Sequence, residues 1–181
     1  MPDILLVAAT EIELCDQEGL VCGIGPVEAA ASTALAITRQ APDAVLHVGV
    51  AGARGLTPGR LVVGTESFYC DLVAEVPMVE RIEPDATLLA SVKAAVPEAI
   101  AVPIGTSATV DGPCSSHPDV RVEAMEGFGV LRACALAGVP AVEMRGISNE
   151  IGEGDRSRWR MARGLDTLRE VLPRLLAALS A

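Results

Sequence analysis

The sequence predicts an α/β fold with a mostly parallel sheet covered by helices on both faces, and three observations predict it. Short apolar runs recur along the chain without polar alternation, as strands buried on both faces require. Segments with apolar residues at helical spacing separate them. Apolar residues make up 50% of the 181 residues and aromatics only 2%, so Ala, Val, Leu and Ile must fill the core, and small side chains favour close helix–sheet packing. No internal repeat, low-complexity tract or linker interrupts the pattern, and residues 1–181 read as a single domain.

The elements follow in order. Ile4 to Ala9 is a buried strand, Thr10 to Gln17 is polar and acidic, and Gly19 to Gly25 is a short apolar piece. Pro26 opens a helix, where its missing N–H costs nothing. Val27, Ala30, Ala31, Ala34 and Ile37 carry that helix, and Ala41-Pro42-Asp43 closes it. Ala44 to Val50 is a second strand. The Gly-rich turn after it, Ala51 to Gly55, lies where ligands bind in α/β sheets, beyond a strand's C-terminal end. Leu61 to Thr65 and Ser67 to Tyr69 read as short strands, Pro84 to Ala95 as a helix, Ala99 to Ile104 as a strand, and Thr106 to Ser116 as a loop or strand end. Met125 to Ala137 is a helix stopped by Gly138 and Pro140. Val139 to Ile147 is a strand, followed by a polar loop from Ser148 to Asp155. A long amphipathic helix then places Met161, Leu165, Leu168, Leu172, Leu175 and Leu179 on one side, and Pro173 is expected to kink or interrupt it.

Composition excludes several functions. The net charge is −10 and the 14 basic residues are scattered, so no groove for a nucleic acid is expected. A small anion remains compatible, because one or two local Arg suffice to bind it. The five cysteines are odd in number and form no CxxC pair, so reduced thiols packed as small hydrophobes are expected. His47 and His117 have no ligand partner at helical spacing, which predicts no metal, and the Gly23-x-Gly25 pattern lacks the dinucleotide fingerprint, so no cofactor is expected. Ser115 and Ser116 precede His117 without a nucleophile elbow. No basic segment precedes the first apolar run, and no run reaches ~18 uncharged apolar residues, so a cytoplasmic chain without a membrane partner is expected.

Three constellations carry possible chemistry. Glu11 and Glu13 follow the first strand, either to activate a water or as solvated acids in a first helical turn. Glu126 enters a helix from an extended segment, where a carboxylate can accept two hydrogen bonds from a vicinal diol such as that of ribose, or simply compensate the helix dipole. Ser148 and Asn149 end a strand; the amide can pair with a purine edge or form a turn.

Taken together, Ala8 to Glu13, Gly23 to Ala30, Val48 to Ala53, Thr109 to Gly112, Val122 to Gly127 and Arg145 to Asn149 occur in an order that resembles the nucleoside phosphorylase and nucleosidase superfamily. Ile147 to Trp159 resembles its futalosine hydrolase branch, and the similarity covers roughly residues 3 to 178. The resemblance implies a three-layer α/β/α fold around a mixed sheet. It implies that Glu126 holds the ribose hydroxyls with Met125 against the sugar, that Glu13 activates water, and that Asn149, beside Ser148, stands where methylthioadenosine nucleosidases carry an Asp that protonates the base. Val50 occupies a position where phosphorylases tend to carry a phosphate-contacting Ser, which favours hydrolysis over phosphorolysis. Thr109 replaces a base-stacking aromatic, with Phe128, Tyr69 or Trp159 as candidates to compensate. Futalosine has a carboxylate at its 5′ end, which Arg54, Arg156 or Arg158 could meet. The implied substrate is a purine nucleoside, futalosine foremost, in menaquinone biosynthesis, and the implied assembly is a homodimer or higher homo-oligomer. A nucleoside phosphorylase stands as an alternative, with Arg54 after the Gly-rich turn as its anion site. Only a few residues separate Glu13 from Gly23, where relatives often insert a pair of strands, so a non-catalytic nucleoside binder is a second alternative.

Overall fold

A computed structural model describes residues 2–72, 75–110, 114 and 117–181. Asp111 and Gly112 of the resemblance, and Ser115 and Ser116, lie outside the described residues. Eight strands and four α-helices follow one another as β1 (Ile4–Ala8), β2 (Leu20–Val21), α1 (Pro26–Gln40), β3 (Ala44–Ala53), β4 (Leu61–Tyr69), β5 (Arg81–Ile82), α2 (Ala86–Ala95), β6 (Ile100–Thr106), β7 (Val122–Ala124), α3 (Gly127–Ala137), β8 (Ala141–Glu150) and α4 (Met161–Leu179). Single 3-10 turns cover Glu11–Leu14 and Arg156–Arg158.

The sheet is mixed and mostly parallel. β1 pairs in parallel with β2 and β3, β3 with β8, β4 with β6, and β6 with β7, while β3–β7, β4–β5 and β4–β8 are antiparallel. These pairings close a circuit through β3, β7, β6, β4 and back by β8, and Ala51, Val62, Val102, Ile104, Val122 and Ile147 form one cluster within that part of the sheet. Side chains alternate along each strand. Leu6, Leu46, Val48, Val142 and Met144 therefore pack on one face with α2 and α4, whereas Leu5, Val7, Val45 and Ala141 pack on the other with α1 and α3. The result is the expected three-layer α/β/α arrangement.

Several elements differ from the sequence expectation. β4 is one strand rather than two, with a register shift against β6 between Gly64 and Glu66. The two-residue strands β2 and β5 have too little pattern to read in advance. α3 starts at Gly127 instead of Met125, because Glu126 is its N-cap residue and has non-helical backbone (φ −124°, ψ −28°). α4 is not interrupted by Pro173. Leu165, Leu168, Val171, Leu172, Leu175 and Leu179 are all buried by it. At about 1.5–3 kcal/mol for each buried Leu, they outweigh the roughly 3 kcal/mol that an internal proline costs. α4 also lies directly on β8: a Cβ on Gly146 would collide with the Gly164 carbonyl, so only glycine permits this approach. Cys70 and Cys114 are joined as a disulfide across 44 residues of sequence, a correction to the expectation of five thiols. Cys15, Cys22 and Cys134 are buried thiols. Burial pushes Cys22 up to about 11 and Cys134 up to about 12. Among the described residues no helix is long and apolar enough to cross a membrane.

Candidate active site

The C-terminal ends of β1, β3 and β8 converge on a cavity of about 510 Å³. Glu13, Val50, Met125, Glu126, Ser148 and Asn149 line it. These six residues come from four separate chain segments, so folding alone brings them together.

Glu13 is buried, although it lies in a 3-10 turn beside the exposed Glu11. Its Oε2 accepts from the Thr10 N–H (3.1 Å) and the Thr10 hydroxyl (2.7 Å), and its Oε1 accepts from the Val50 N–H (3.0 Å). Three donors fix the carboxylate at the cavity wall. The solvated-acid reading applies to Glu11 only. Val50 thus takes part through its backbone, while its side chain packs toward Gly164 of α4.

Glu126 is 4% exposed, and its Oε1 accepts from the Gly25 N–H at 3.1 Å. Its Oε2 stands 3.7 Å from Nη1 of Arg145. Burial raises the Glu126 carboxyl above the usual range, and Arg145 opposes that rise. Asn149 is also buried; its Oδ1 accepts from the Ser148 hydroxyl (2.7 Å) and its Nδ2 donates to the Glu150 carbonyl (3.0 Å). An amide offers two donor protons and two acceptor lone pairs, so one of each remains for a ligand.

A buried polar network lies behind these residues, and the sequence analysis missed it. Arg145 on β8 is wholly buried. Its Nε donates to Glu143 Oε1 at 2.8 Å, and Nη2 donates to Nε2 of His47. Arginine can only donate, so Nε2 accepts, and Nδ1 carries the proton donated to the Val7 carbonyl (3.0 Å). His47 is therefore neutral, and burial followed by the Arg145 charge holds its pKa well below normal. Burial alone would lower the Arg145 pKa, but the carboxylates of Glu143, Glu126 and Glu13 raise it. Gly49 makes room for the junction: a methyl there would collide with both the Arg145 guanidinium and the Glu13 carboxylate. A signal for this network exists in the sequence. Glu143, Arg145 and His47 interrupt otherwise apolar strands, and a charge inside a buried strand must be paired.

Not every sequence candidate reaches the cavity. Thr109 is exposed and turns its N–H and hydroxyl to Ser107, while Val110 lines the wall instead. Phe128 stacks on Tyr69 away from the cavity, leaving Trp159 as the lining aromatic of the three candidates. Arg54 donates to the Cys114 carbonyl, and Arg158 pairs with Glu153 and Asp155; neither lines the cavity. Arg156 does.

The α/β/α architecture places two fixed carboxylates and an amide around one cavity of small-molecule size. The chain belongs to the phosphorylase superfamily, whose family model matches residues 20–181. It is 36% identical to futalosine hydrolase of Streptomyces coelicolor over 90% of this chain and 79% of that protein. Solved structures that share the fold include the following two. One is a 5'-methylthioadenosine/S-adenosylhomocysteine nucleosidase from Colwellia psychrerythraea in complex with adenine (TM-score 0.86, 21% identity, 99% of this chain and 96% of that one). The other is futalosine hydrolase of Helicobacter pylori (TM-score 0.85, 18% identity, 97% of each chain).

Proposed function

We propose that this protein hydrolyses the N-glycosidic bond of a 6-oxopurine nucleoside, with futalosine as substrate and hypoxanthine as the released base. The observation that carries the reading is the convergence of Glu13, Glu126 and Asn149 on one cavity. The similarity to futalosine hydrolase of Streptomyces coelicolor supports it. On this reading Glu126 accepts the ribose hydroxyls and Met125 packs against the sugar. Glu13 takes a proton from water as the oxygen adds to C1′. The electron pair of the C1′–N9 bond leaves with the purine, which takes up a proton from solvent at N7 and departs as neutral hypoxanthine, while Glu13 returns the proton it took from water to solvent. Asn149 cannot supply that proton; its carbonyl accepts from a protonated N7 while its amide donates to the 6-oxo group.

The reading includes one domain, a cytoplasmic homo-oligomer and a place in menaquinone biosynthesis. Ile12 and Ile24 at the cavity rim are each 61% exposed, and a second copy covering them would shield the site from water. The direct test is hypoxanthine release from futalosine and from inosine, with and without phosphate. Phosphate-independent release from futalosine is expected. Release only with phosphate would mean a phosphorylase, and tight binding without release a non-catalytic nucleoside binder; either result rejects the proposal.

Asn149 should set the choice of base. An adenine amino group in place of the 6-oxo group would face the Asn149 amide donor to donor, and one such mismatch costs about 1–3 kcal/mol. Asn149→Asp is therefore expected to shift the ratio of kcat/KM for inosine over adenosine toward adenosine by about 10-fold or more. An unchanged ratio would remove Asn149 from base recognition.

A further inference from the structure

The Arg145 guanidinium turns one nitrogen toward the cavity carboxylates. Its Nε donates to Glu143 Oε1 (2.8 Å) and its Nη2 to His47 Nε2, and neither partner lines the cavity. Among the described residues Nη1 has no hydrogen-bond partner. It stands 3.7 Å from Glu126 Oε2, beyond hydrogen-bonding reach, so this contact is an ion pair without a bond. Resting on the nucleosidase reading above, we propose that Glu143 is a positioning residue: it holds the Arg145 guanidinium off Glu126 and cancels its charge, which keeps the sugar end of the cavity anionic and favours a positively charged ribosyl group.

Glu143 is the group that fixes this arrangement. His47 is neutral, so among the described residues Glu143 is the one charge hydrogen-bonded to the guanidinium. It is wholly buried. Its carboxylate sits against Gly127, the first residue of α3, where the helix dipole favours negative charge. Its Oε2 has no hydrogen-bond partner among the described residues. A buried carboxylate with an unsatisfied oxygen costs stability, and a buried ion pair can often be replaced whole by apolar residues without loss. Stability alone therefore gives no reason to keep this carboxylate.

Charge gives one. Glu13, Glu126, Glu143 and Arg145 are all buried, and three carboxylates with one guanidinium leave two net negative charges. Without Glu143, one remains. As the C1′–N9 electron pair leaves with the base, positive charge builds on C1′ and on the ring oxygen of the sugar. Fixed negative charge in a water-excluded site stabilises that state more than it stabilises the neutral nucleoside. An uncancelled Arg145 would oppose the effect. It would also be free to bond Glu126 and compete with the ribose hydroxyls for that carboxylate.

The test uses two carbon-linked, uncleavable inosine analogues that differ in the sugar ring, one a neutral ribose and the other a pyrrolidine protonated at its nitrogen. Calorimetry on the full chain is expected to give tighter binding of the cationic analogue. Glu143→Gln should cut that preference by about 10–100-fold while the neutral analogue stays within about threefold. Glu143→Asp, with the charge kept on a shorter arm, should recover part of it. Glu143→Gln combined with Arg145→Met removes one charge of each sign and should also recover it, measured at about pH 8 with Glu126 ionised. In futalosine hydrolysis Glu143→Gln should lower kcat more than it raises KM, and the acid limb of kcat/KM should move to lower pH. The charged and titratable groups facing Glu126 are Arg145 and Glu143 on β8, Glu13 on the first 3-10 turn and Cys22 ahead of α1; removing the Glu143 charge takes away a repulsion that raises the Glu126 carboxyl.

Equal loss of both analogues with an unmoved acid limb would make Glu143 a structural residue only. An unchanged preference in Glu143→Gln, or no preference in the parent, would remove it from the electrostatics of the site. Each of these results overturns the inference and leaves the nucleosidase reading intact. Should Glu143→Gln fail to fold, Glu143→Asp and the double variant carry the test, and a double variant without the preference overturns the inference. A parent chain that binds neither analogue and cleaves no nucleoside ends the nucleosidase reading and this inference with it.

Discussion

Replacing Glu13 with Gln is expected to lower kcat by about 10²–10⁴-fold while substrate binding stays within a few-fold of the parent. The carboxylate is held by three donors, the Val50 N–H, the Thr10 N–H and the Thr10 hydroxyl, and among the described residues no basic side chain is bonded to it. A glutamine fills the same volume but presents an NH₂ group to one of those backbone donors. The Thr10 hydroxyl can reverse and accept; a backbone N–H cannot. The mismatch adds about 1–3 kcal/mol of local cost, which a melting curve would register separately from the chemical defect. Glu11→Gln is the internal control, because Glu11 is exposed and should affect neither property. Single-turnover hydrolysis alongside equilibrium binding of the substrate separates the two effects. Near-parental turnover in Glu13→Gln would take the general-base role away from this residue.

Removing the Arg145 charge is expected to produce the largest loss of stability of any single substitution at the site. Arg145→Met keeps much of the volume but leaves Glu143, which is fully buried, without its cation, and removes the charge that opposes the rise of the Glu126 pKa. Breaking a buried pair by deleting one partner costs roughly 3–5 kcal/mol, because the remaining charge is uncompensated. His47 would lose the donor to its Nε2 as well. Denaturant unfolding of the two proteins measures the difference. Adding Glu143→Gln to Arg145→Met should restore part of the stability by removing the orphaned carboxylate, yet not the activity. A double variant no more stable than the single one would show that the buried ion pair is not what holds β8 in place.

The predicted pH response of Glu126 follows from the same geometry. Its carboxyl titrates above the ordinary range because burial disfavours its charged form. A raised carboxyl pKa means that the folded state binds a proton more readily than the unfolded one. Folding therefore loses some stability as pH rises through that window, while diol recognition by the ionised form requires the upper side of it. Site function and stability are set against each other at this residue, and the Arg145 charge moderates the conflict.

The apolar runs and helical periods determined the layered α/β class, because strands buried on both faces and helices buried on one leave different spacings in the sequence. They also marked Glu13, Glu126 and Asn149 as polar residues at element ends. Tertiary structure decided the rest. Whether Glu13 or Glu11 faces the cavity depends on the turn that aims one carboxylate at the Val50 N–H, a partner 37 residues away. The pairing of Cys70 with Cys114 and the turning of Thr109 toward Ser107 depend on how the ends of β4 and β6 meet. The His47–Arg145–Glu143 network joins two strands that are neighbours only in the sheet. Periodicity reports which face of an element is buried; it does not report which element lies across from it, and each of these features is a contact between elements distant in sequence.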